Sequence, residues 1–389
     1  MTVKLYDIEP YDTYFDAIVL ESTEYKDKTG YVFDKTLFFP EEGGQSPDKG
    51  QVDGFNVIDV QISGDKIIHF IDGELKVGDS VHGEIDWNHR FLNMQCHSAE
   101  HIFSRLVYSK FGFNNVGFHL SDNTATMDYD GFLSPEDIKA LELRANEIII
   151  ENRPIKAEYP EPDRLKEIEY RSKKELTGPV RIVTVEGVDV CACCAPHVRT
   201  TAEIGLFKVL SFEKYKGGVR IHYLAGFRAI ADYEVRLSTL RDISATLSAK
   251  PYSESEAVRS LNEDNKDLKF RIVNITNQFI ESKIRNSFHE GDTFLLYIGT
   301  TDEVSCMDFA ARVLRGLVPS FASFFGSDEE GYRFIIESSS LNTDSLLNRL
   351  KNELNCKCGG KNGSFRGSIE LKAEDLIKNF STIDTTFGV

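Results

Sequence analysis

Between residues 1 and 88 apolar positions alternate or cluster over short lengths. "VFDKTLFFP" (32–40), "VIDVQISG" (57–64) and "KIIHFIDG" (66–73) are separated by turn-forming strings such as "EEGG", "PDKG", "SGDK" and "VGD". Closely spaced short strands with tight turns predict a small β-barrel over 1–88. From Trp87 the pattern changes. No Gly or Pro occurs from 88 to 111, and Met94, His97, His101 and Leu106 fall in this run, which predicts a helix. A β-like piece, "GFHLSDNTATMDYDG", follows. The next segment, "SPEDIKALELRANEIIIEN", has Ser134 as N-cap, Pro135 at the first helical position and Asp137 in the first turn, so a second helix begins there. Residues 180–226 return to strands and loops. Residues 89–228 therefore read as one α+β domain.

Residues 229–289 read as two helices broken near Pro251. In the second, Val258, Leu261, Asn265, Leu268, Ile272, Ile275 and Phe279 are spaced 3-4-3-4-3-4, a coiled-coil seam with one polar residue in it. Such a seam serves either a hairpin packed on itself or a homodimer through 253–284. Residues 290–389 alternate strand-like and helix-like runs, a small α/β domain. The fold class is α+β.

Composition adds bounds. A chain of 389 residues holds about two to three domains. No apolar run approaches the roughly 20 residues of a membrane helix, and the first residues lack a secretory pattern, so a cytoplasmic protein is expected. The net charge of −17 disfavours broad binding to phosphate backbones, although a local basic patch can still meet RNA. Three of the seven cysteines stand in "CACCAPH". In a reducing compartment such a cluster points to metal or a reactive thiol rather than to disulfides.

The chemistry centres on "WNHRFLNMQCHSAEHIFSRL" (87–106). His97 and His101 lie four apart, on one face of a helix, and can converge on one ion. The zinc-protease pattern H-E-x-x-H is absent, because Glu100 directly precedes the second histidine. About a hundred residues on, Cys193 and His197 form C-x-x-x-H. With His97 and His101 they give a four-ligand set suited to Zn. Cys191 and Cys194 are so near that either could supply the thiolate instead. The alternative is a buried cysteine-rich turn, since free Cys packs as a small hydrophobe.

At these residues the chain resembles a known family, the stand-alone alanyl-tRNA editing proteins called AlaX, and the editing and C-terminal regions of alanyl-tRNA synthetase. "DKTLFFPEEGGQSPDKGQV" resembles the family's Gly-rich barrel motif. "IDWNHRFLNMQCHSAEHIFSRL" is similar to its HxxxH helix, and "CACCAPHVRTTAEIGLFKVLSFEKYKGGVRIHYLAG" to its CxxxH block. "CGGKNGSFRGS" resembles the Gly-rich segment of the synthetase's C-terminal domain. Nothing resembles an aminoacylation domain. The resemblance implies a free-standing, long-form trans-editing enzyme that hydrolyses the ester of mischarged alanine tRNA, chiefly Ser-tRNA(Ala).

Carried over, the resemblance implies that His97, His101, Cys193 and His197 bind zinc. It implies that Gly43, Gly44 and Gln45 face the aminoacyl end, and that Thr36 helps choose serine over alanine. Two positions depart from the pattern. Glu42 stands where the family has a first glycine, and Pro196 stands in a string that usually reads C-G-G-T-H. Both bear on amino-acid selectivity. The two glycines would let the backbone approach the ester, and their N–H groups could stabilise an oxyanion. Arg220 either contacts a phosphate or the terminal adenosine, or serves as a structural ion-pair partner. Gly359, Gly360, Lys361, Gly363 and Arg366 form a local basic, Gly-rich patch for tRNA. Two other functions fit the sequence: a tRNA-binding protein that keeps this fold without catalysis, and a zinc hydrolase of another ester.

Overall fold

The computed structural model describes residues 2–25, 28–122, 124–172, 178–301, 303–339, 351–352, 356–361 and 363–380. The chain is mixed α and β and forms two compact units, Met1–Arg241 and Asp242–Val389.

In the first unit six strands close on one another: β1 (Tyr14–Tyr25), β2 (Lys28–Phe33), β3 (Gly50–Val52), β4 (Phe55–Ser63), β5 (Lys66–Ile71) and β6 (Ser80–Ile85). The cyclic order is β1-β2-β5-β4-β3-β6. β1 makes the closure possible. Residues 14–18 pair with β6, residues 19–25 pair with β2, and a bulge between Val19 and Glu21 turns the strand from one partner to the other. Phe33, Phe38, Phe39, Val52 and Val60 fill the interior.

Helix α1 (Trp87–Phe111) leaves the barrel directly after β6. Asp86 caps it by accepting from the His89 amide at 3.0 Å, and Gly112 closes it in the left-handed region at φ 71°. Of its 25 residues 15 are buried, many of them polar, and these polar side chains have partners. Arg90 meets Asp48 and the Pro10 carbonyl, and Gln95 donates to the Glu203 carbonyl. Arg228 donates to Asn93, and Ser104 donates to Glu100. Burial without these bonds would be costly.

Helix α2 (Pro135–Ile150) starts where the capping signal places it: Ser134 accepts from the Asp137 amide at 3.1 Å. Both helices share a core with a four-stranded antiparallel sheet, which runs β12 (Phe207–Tyr215), β13 (Gly218–Ala225), β8 (Ala125–Tyr129), β7 (Asn115–Leu120). A separate three-stranded sheet holds β9 (Ile155–Glu158), β10 (Ile182–Val185) and β11 (Asp189–Ala192). Cys193, just past β11, packs against both this core and the barrel core. Helix α3 (Gly226–Leu247) follows β13.

The second unit contains α4 (Glu254–Ser287) and a five-stranded sheet. The sheet runs β14 (Phe294–Gly299), β15 (Ser320–Ser327), β16 (Gly331–Ser338), β18 (Ser364–Ile369), β17 (Lys357–Lys361), with only the first pair parallel. Helix α5 (Val304–Arg315) joins that parallel pair. Side chains alternate across β15. Phe321 and Phe325 face the core shared with α5 and the end of α4, while Ala322 and Phe324 face the core shared with α6 (Ala373–Phe380). Ile280 and Ile284 anchor α4 in the first of these cores. The helix expected from "TDSLLNRLKNELN" (343–355) lies outside the described residues, apart from 351–352. Among the described residues no helix is long and apolar enough to cross a membrane.

Candidate metal centre

The local sequence of α1 puts His97 and His101 one turn apart and buries both, at 4% and 2% exposure. From the other side the loop after β11 brings Cys193 and His197. One ligand atom from each of the four residues lies within 4.8 Å of the others. Cys193 Sγ is 3.5 Å from His97 Nε2 and 3.4 Å from His197 Nε2.

The outward nitrogens of His97 and His197 are engaged as metal ligands require. His97 Nδ1–H donates to Gln45 Oε1 at 2.8 Å, and His197 Nδ1 shares a hydrogen bond with Ser98 Oγ at 2.9 Å. His101 Nδ1 lies 3.3 Å from Asp189 Oδ2. That carboxylate is held in turn by Arg171, at 2.8 and 2.7 Å. Gln45 Oε1 can only accept, so it assigns the proton of His97 to Nδ1 and leaves the Nε2 lone pair facing the cluster. Burial drives His197 down to about 3, against the opposing pull of Cys193. Burial alone pushes the Cys193 thiol up, but His97 and His197 beside it outweigh this and hold it well below the ordinary thiol range. Burial alone would lower His101, but Cys191, Asp189 and Cys193 outweigh it and raise His101 well above the ordinary imidazole range. His101 would thus give up a proton to a bound cation while Cys193 offers a thiolate. Three imidazoles and one thiolate fit a divalent cation of the zinc type.

The three cysteines are thereby distinguished. Cys191 turns to His101 and Asp189, a second close grouping. Cys194 lies against Glu42 and Gly43, where a Cβ built on Gly43 would be 3.3 Å from its sulfur. Burial pushes both thiols up. Arg181 sets the loop by donating to the carbonyls of Cys193 and Ala195 at 3.1 and 2.8 Å while its Nε lies 3.2 Å from Asp7.

The Gly-rich turn joins the centre through Gln45. Glu42 and Gln45 exchange main-chain bonds of 3.2 and 3.0 Å around Gly43 (φ 64°) and Gly44 (φ 88°). The Gly44 carbonyl accepts from the Leu120 amide at 2.7 Å, and a Cβ on Gly44 would stand 2.2 Å from the Phe118 carbonyl oxygen. Glycine is required there by both space and φ. Both glycines are exposed, so the turn opens to solvent beside the cluster.

Thr36 and Arg220 have partners of their own. Thr36 is fully buried among barrel side chains. His69 Nδ1–H donates to the Tyr31 carbonyl at 3.1 Å, so Thr36 Oγ1 donates to His69 Nε2 at 2.8 Å and accepts from the Phe38 amide at 3.0 Å. Burial holds His69 at about 4, hence neutral. Arg220 makes a two-pronged pair with Asp128, both bonds 2.7 Å, and stacks 3.6 Å over Tyr215. Its guanidinium is occupied structurally. Gly359, Gly360 and Lys361 lie on β17, Gly363 follows in the turn, and Arg366 on β18 pairs with Asp308 at 2.7 Å.

Ser98, Arg171, Arg181 and Asp189 were not singled out from the sequence. Ser98 alone carried a signal, standing next to His97 inside the HxxxH string.

Comparison with known proteins follows the same blocks. Residues 180–222 match the threonyl and alanyl tRNA synthetase second additional domain, and residues 13–89 match the class II (A) tRNA synthetases. The alanyl-tRNA editing protein AlaX-L of Pyrococcus horikoshii is 29% identical over 396 residues, covering 97% of each chain. Over 97% of its length this chain is similar to an alanyl-tRNA editing protein. The editing protein Aarsd1 of Danio rerio is 28% identical over 88% of this chain and 84% of its own. The alanine–tRNA ligase of Ignicoccus hospitalis is 26% identical over 97% of this chain, which spans 42% of that longer protein.

Proposed function

We propose that the protein is a trans-editing hydrolase that deacylates mischarged tRNA(Ala), chiefly Ser-tRNA(Ala), with zinc as its cofactor. The observation that carries this reading is the convergence of His97, His101, Cys193 and His197 in a buried cluster beside an exposed two-glycine turn. The editing-protein relatives supply the substrate class.

Zinc bound there would supply Lewis-acid polarisation of a substrate donor atom. The chain's own residues do the rest. Gln45, Ser98 and Asp189 fix the ring planes of the three histidines. The Gly43 and Gly44 amides, which have no recorded acceptor among the described residues, are available to an oxyanion. Serine and alanine differ by one hydroxyl, and a site built to hydrogen-bond that group rejects the analogue lacking it. Thr36 is proposed for this selection, since its oxygen keeps one lone pair beyond the Phe38 bond. Purified protein should release serine from Ser-tRNA(Ala) at least about tenfold faster than alanine from Ala-tRNA(Ala). Equal rates would remove the editing reading.

Lys357, Gly359, Gly360, Lys361, Gly363 and Arg366 are proposed to contact tRNA. Reversing charge at Lys357 and Lys361, both on β17, should weaken tRNA binding and flatten its salt dependence by about one unit per lost phosphate contact. Unchanged affinity and slope would place the RNA contact elsewhere.

We further propose that α4 makes a homodimer through 253–284. Its seam residues Val258, Leu261, Leu268, Ile272, Ile275 and Phe279 are 48–66% exposed, an apolar stripe that this chain does not cover. Sedimentation at micromolar concentration should give twice the 44.0 kDa chain mass. Leu268→Lys with Ile275→Lys should give the monomer, and a monomeric wild type would overturn the dimer.

A further inference from the structure

Four buried polar atoms near the Gly-rich turn have no hydrogen-bond partner among the described residues: Glu42 Oε2, Gln45 Nε2, Ser46 Oγ and the Tyr6 hydroxyl. Buried atoms of this kind are rare in folded proteins and mark a partner yet to arrive. Two of the side chains are rigidly placed. Tyr6 is 1% exposed, with its ring edge-on to Phe39 at 5.4 Å, and Gln45 is fully buried and tied to His97. After burial itself, the charges of Asp7 and Glu42 act on the Tyr6 hydroxyl, followed by Cys194 and Tyr159.

Asp7 Oδ1 has no hydrogen-bond partner either, but it lies 3.2 Å from the Arg181 guanidinium, and Asp7 Oδ2 accepts from the Tyr159 hydroxyl at 2.8 Å. Glu42 is not engaged in this way. Its backbone is locked to Gln45, Cys194 lies against its carboxylate, and the second carboxylate oxygen is left open. The result is a cluster of unpartnered acceptors next to the exposed Gly43–Gly44 turn. A carboxylate can only accept hydrogen bonds, and an ammonium group offers three donors.

We propose that Glu42 and Tyr6 receive the α-ammonium group of the aminoacyl ester. The proposal rests on the deacylase reading above and assigns the pole of the substrate opposite the ribose. With the ammonium held by Glu42 and the Tyr6 oxygen, the adjacent carbonyl is directed toward the glycine amides. The unpartnered Gln45 Nε2 remains as a donor to an ester or ribose oxygen. Glu42 thereby gives the turn an acidic anchor. It makes a free α-amino group a requirement of the substrate.

The test compares hydrolysis of Ser-tRNA(Ala) and N-acetyl-Ser-tRNA(Ala) by wild type, Glu42→Gln, Tyr6→Phe and Glu41→Gln, with bound zinc measured on each sample. Wild type should favour the free amine by about tenfold or more, the scale of one charge-assisted hydrogen bond. In Glu42→Gln that ratio should fall to near one through loss on the free-amine ester. Tyr6→Phe should give a partial fall. Glu41→Gln, an exposed neighbour bonded to Gln61, should keep the wild-type ratio. Should Glu42→Gln lose zinc or fail to fold, Glu42→Gly provides the same comparison. A wild-type ratio retained in the Glu42 variants overturns the proposal, as does a wild type indifferent to acetylation. If wild type hydrolyses neither ester, the deacylase reading fails and the proposal falls with it.

Discussion

Cys193→Ala should strip the protein of its metal, from about one bound zinc per chain to almost none. Deacylation should fall by more than the roughly 10–100-fold that loss of an outer-shell partner costs. The expectation follows from the position of the sulfur, 3.5 and 3.4 Å from two histidine nitrogens, and from its low pKa. The neighbouring cysteines provide the contrast. Cys191→Ala and Cys194→Ala should each retain zinc, because their sulfurs turn toward Asp189 and Glu42 instead. Asp189→Asn should lie between these cases, since it leaves the four ligands in place but weakens the hold on His101. Elemental analysis of the purified variants reads all of this directly. Full zinc in Cys193→Ala, or its loss in Cys194→Ala, would reassign the ligand.

Arg90→Met should destabilise the first unit by about 3–5 kcal/mol, the usual result of leaving one partner of a buried ion pair behind. Arg90 and Asp48 are both fully buried. Arg90 Nε donates to the two carboxylate oxygens at 2.9 and 3.0 Å, and its other nitrogens reach the carbonyls of Pro10 and Leu37. Asp48 also accepts from the Phe39 amide at 2.6 Å. One side chain thus ties the first turn of α1 to the barrel segments on either side of the Gly-rich turn. Trp87, the single tryptophan, lies one turn earlier and stacks on Phe91, so its fluorescence reports this unit's denaturant transition. A midpoint unchanged from wild type would mean that the helix is held to the barrel by apolar packing alone.

Much of this architecture is legible in the sequence because its signals are local. The Gly- and Pro-free run gives α1, Ser134-Pro135 gives the start of α2, and i,i+4 spacing puts His97 and His101 on one face. The metal set could be named as four residue types at two spacings, but the choice among Cys191, Cys193 and Cys194 could not. That choice depends on Arg181, whose guanidinium grips the loop across space, and on which sulfur the turn after β11 directs inward. Neither leaves a periodic trace. The same holds for Thr36 and Arg220. As isolated polar residues they look unpartnered, but Thr36 bonds to His69 and Arg220 to Asp128, 33 and 92 positions away. The α4 seam is legible in its spacing, whereas its partner is set by assembly. Asp189 and Ser98 escaped notice because outer partners of metal ligands have no fixed spacing from them.

The central claim is that one buried His₃Cys cluster makes this chain a metal-dependent editing enzyme. Its most direct test is serine release from Ser-tRNA(Ala) by wild-type protein before chelation, after chelation, and after zinc is returned, with Ala-tRNA(Ala) run alongside. The account predicts rapid loss of serine with alanine spared, abolition on chelation and recovery with zinc. Serine release that persists undiminished in folded, zinc-free protein would contradict it.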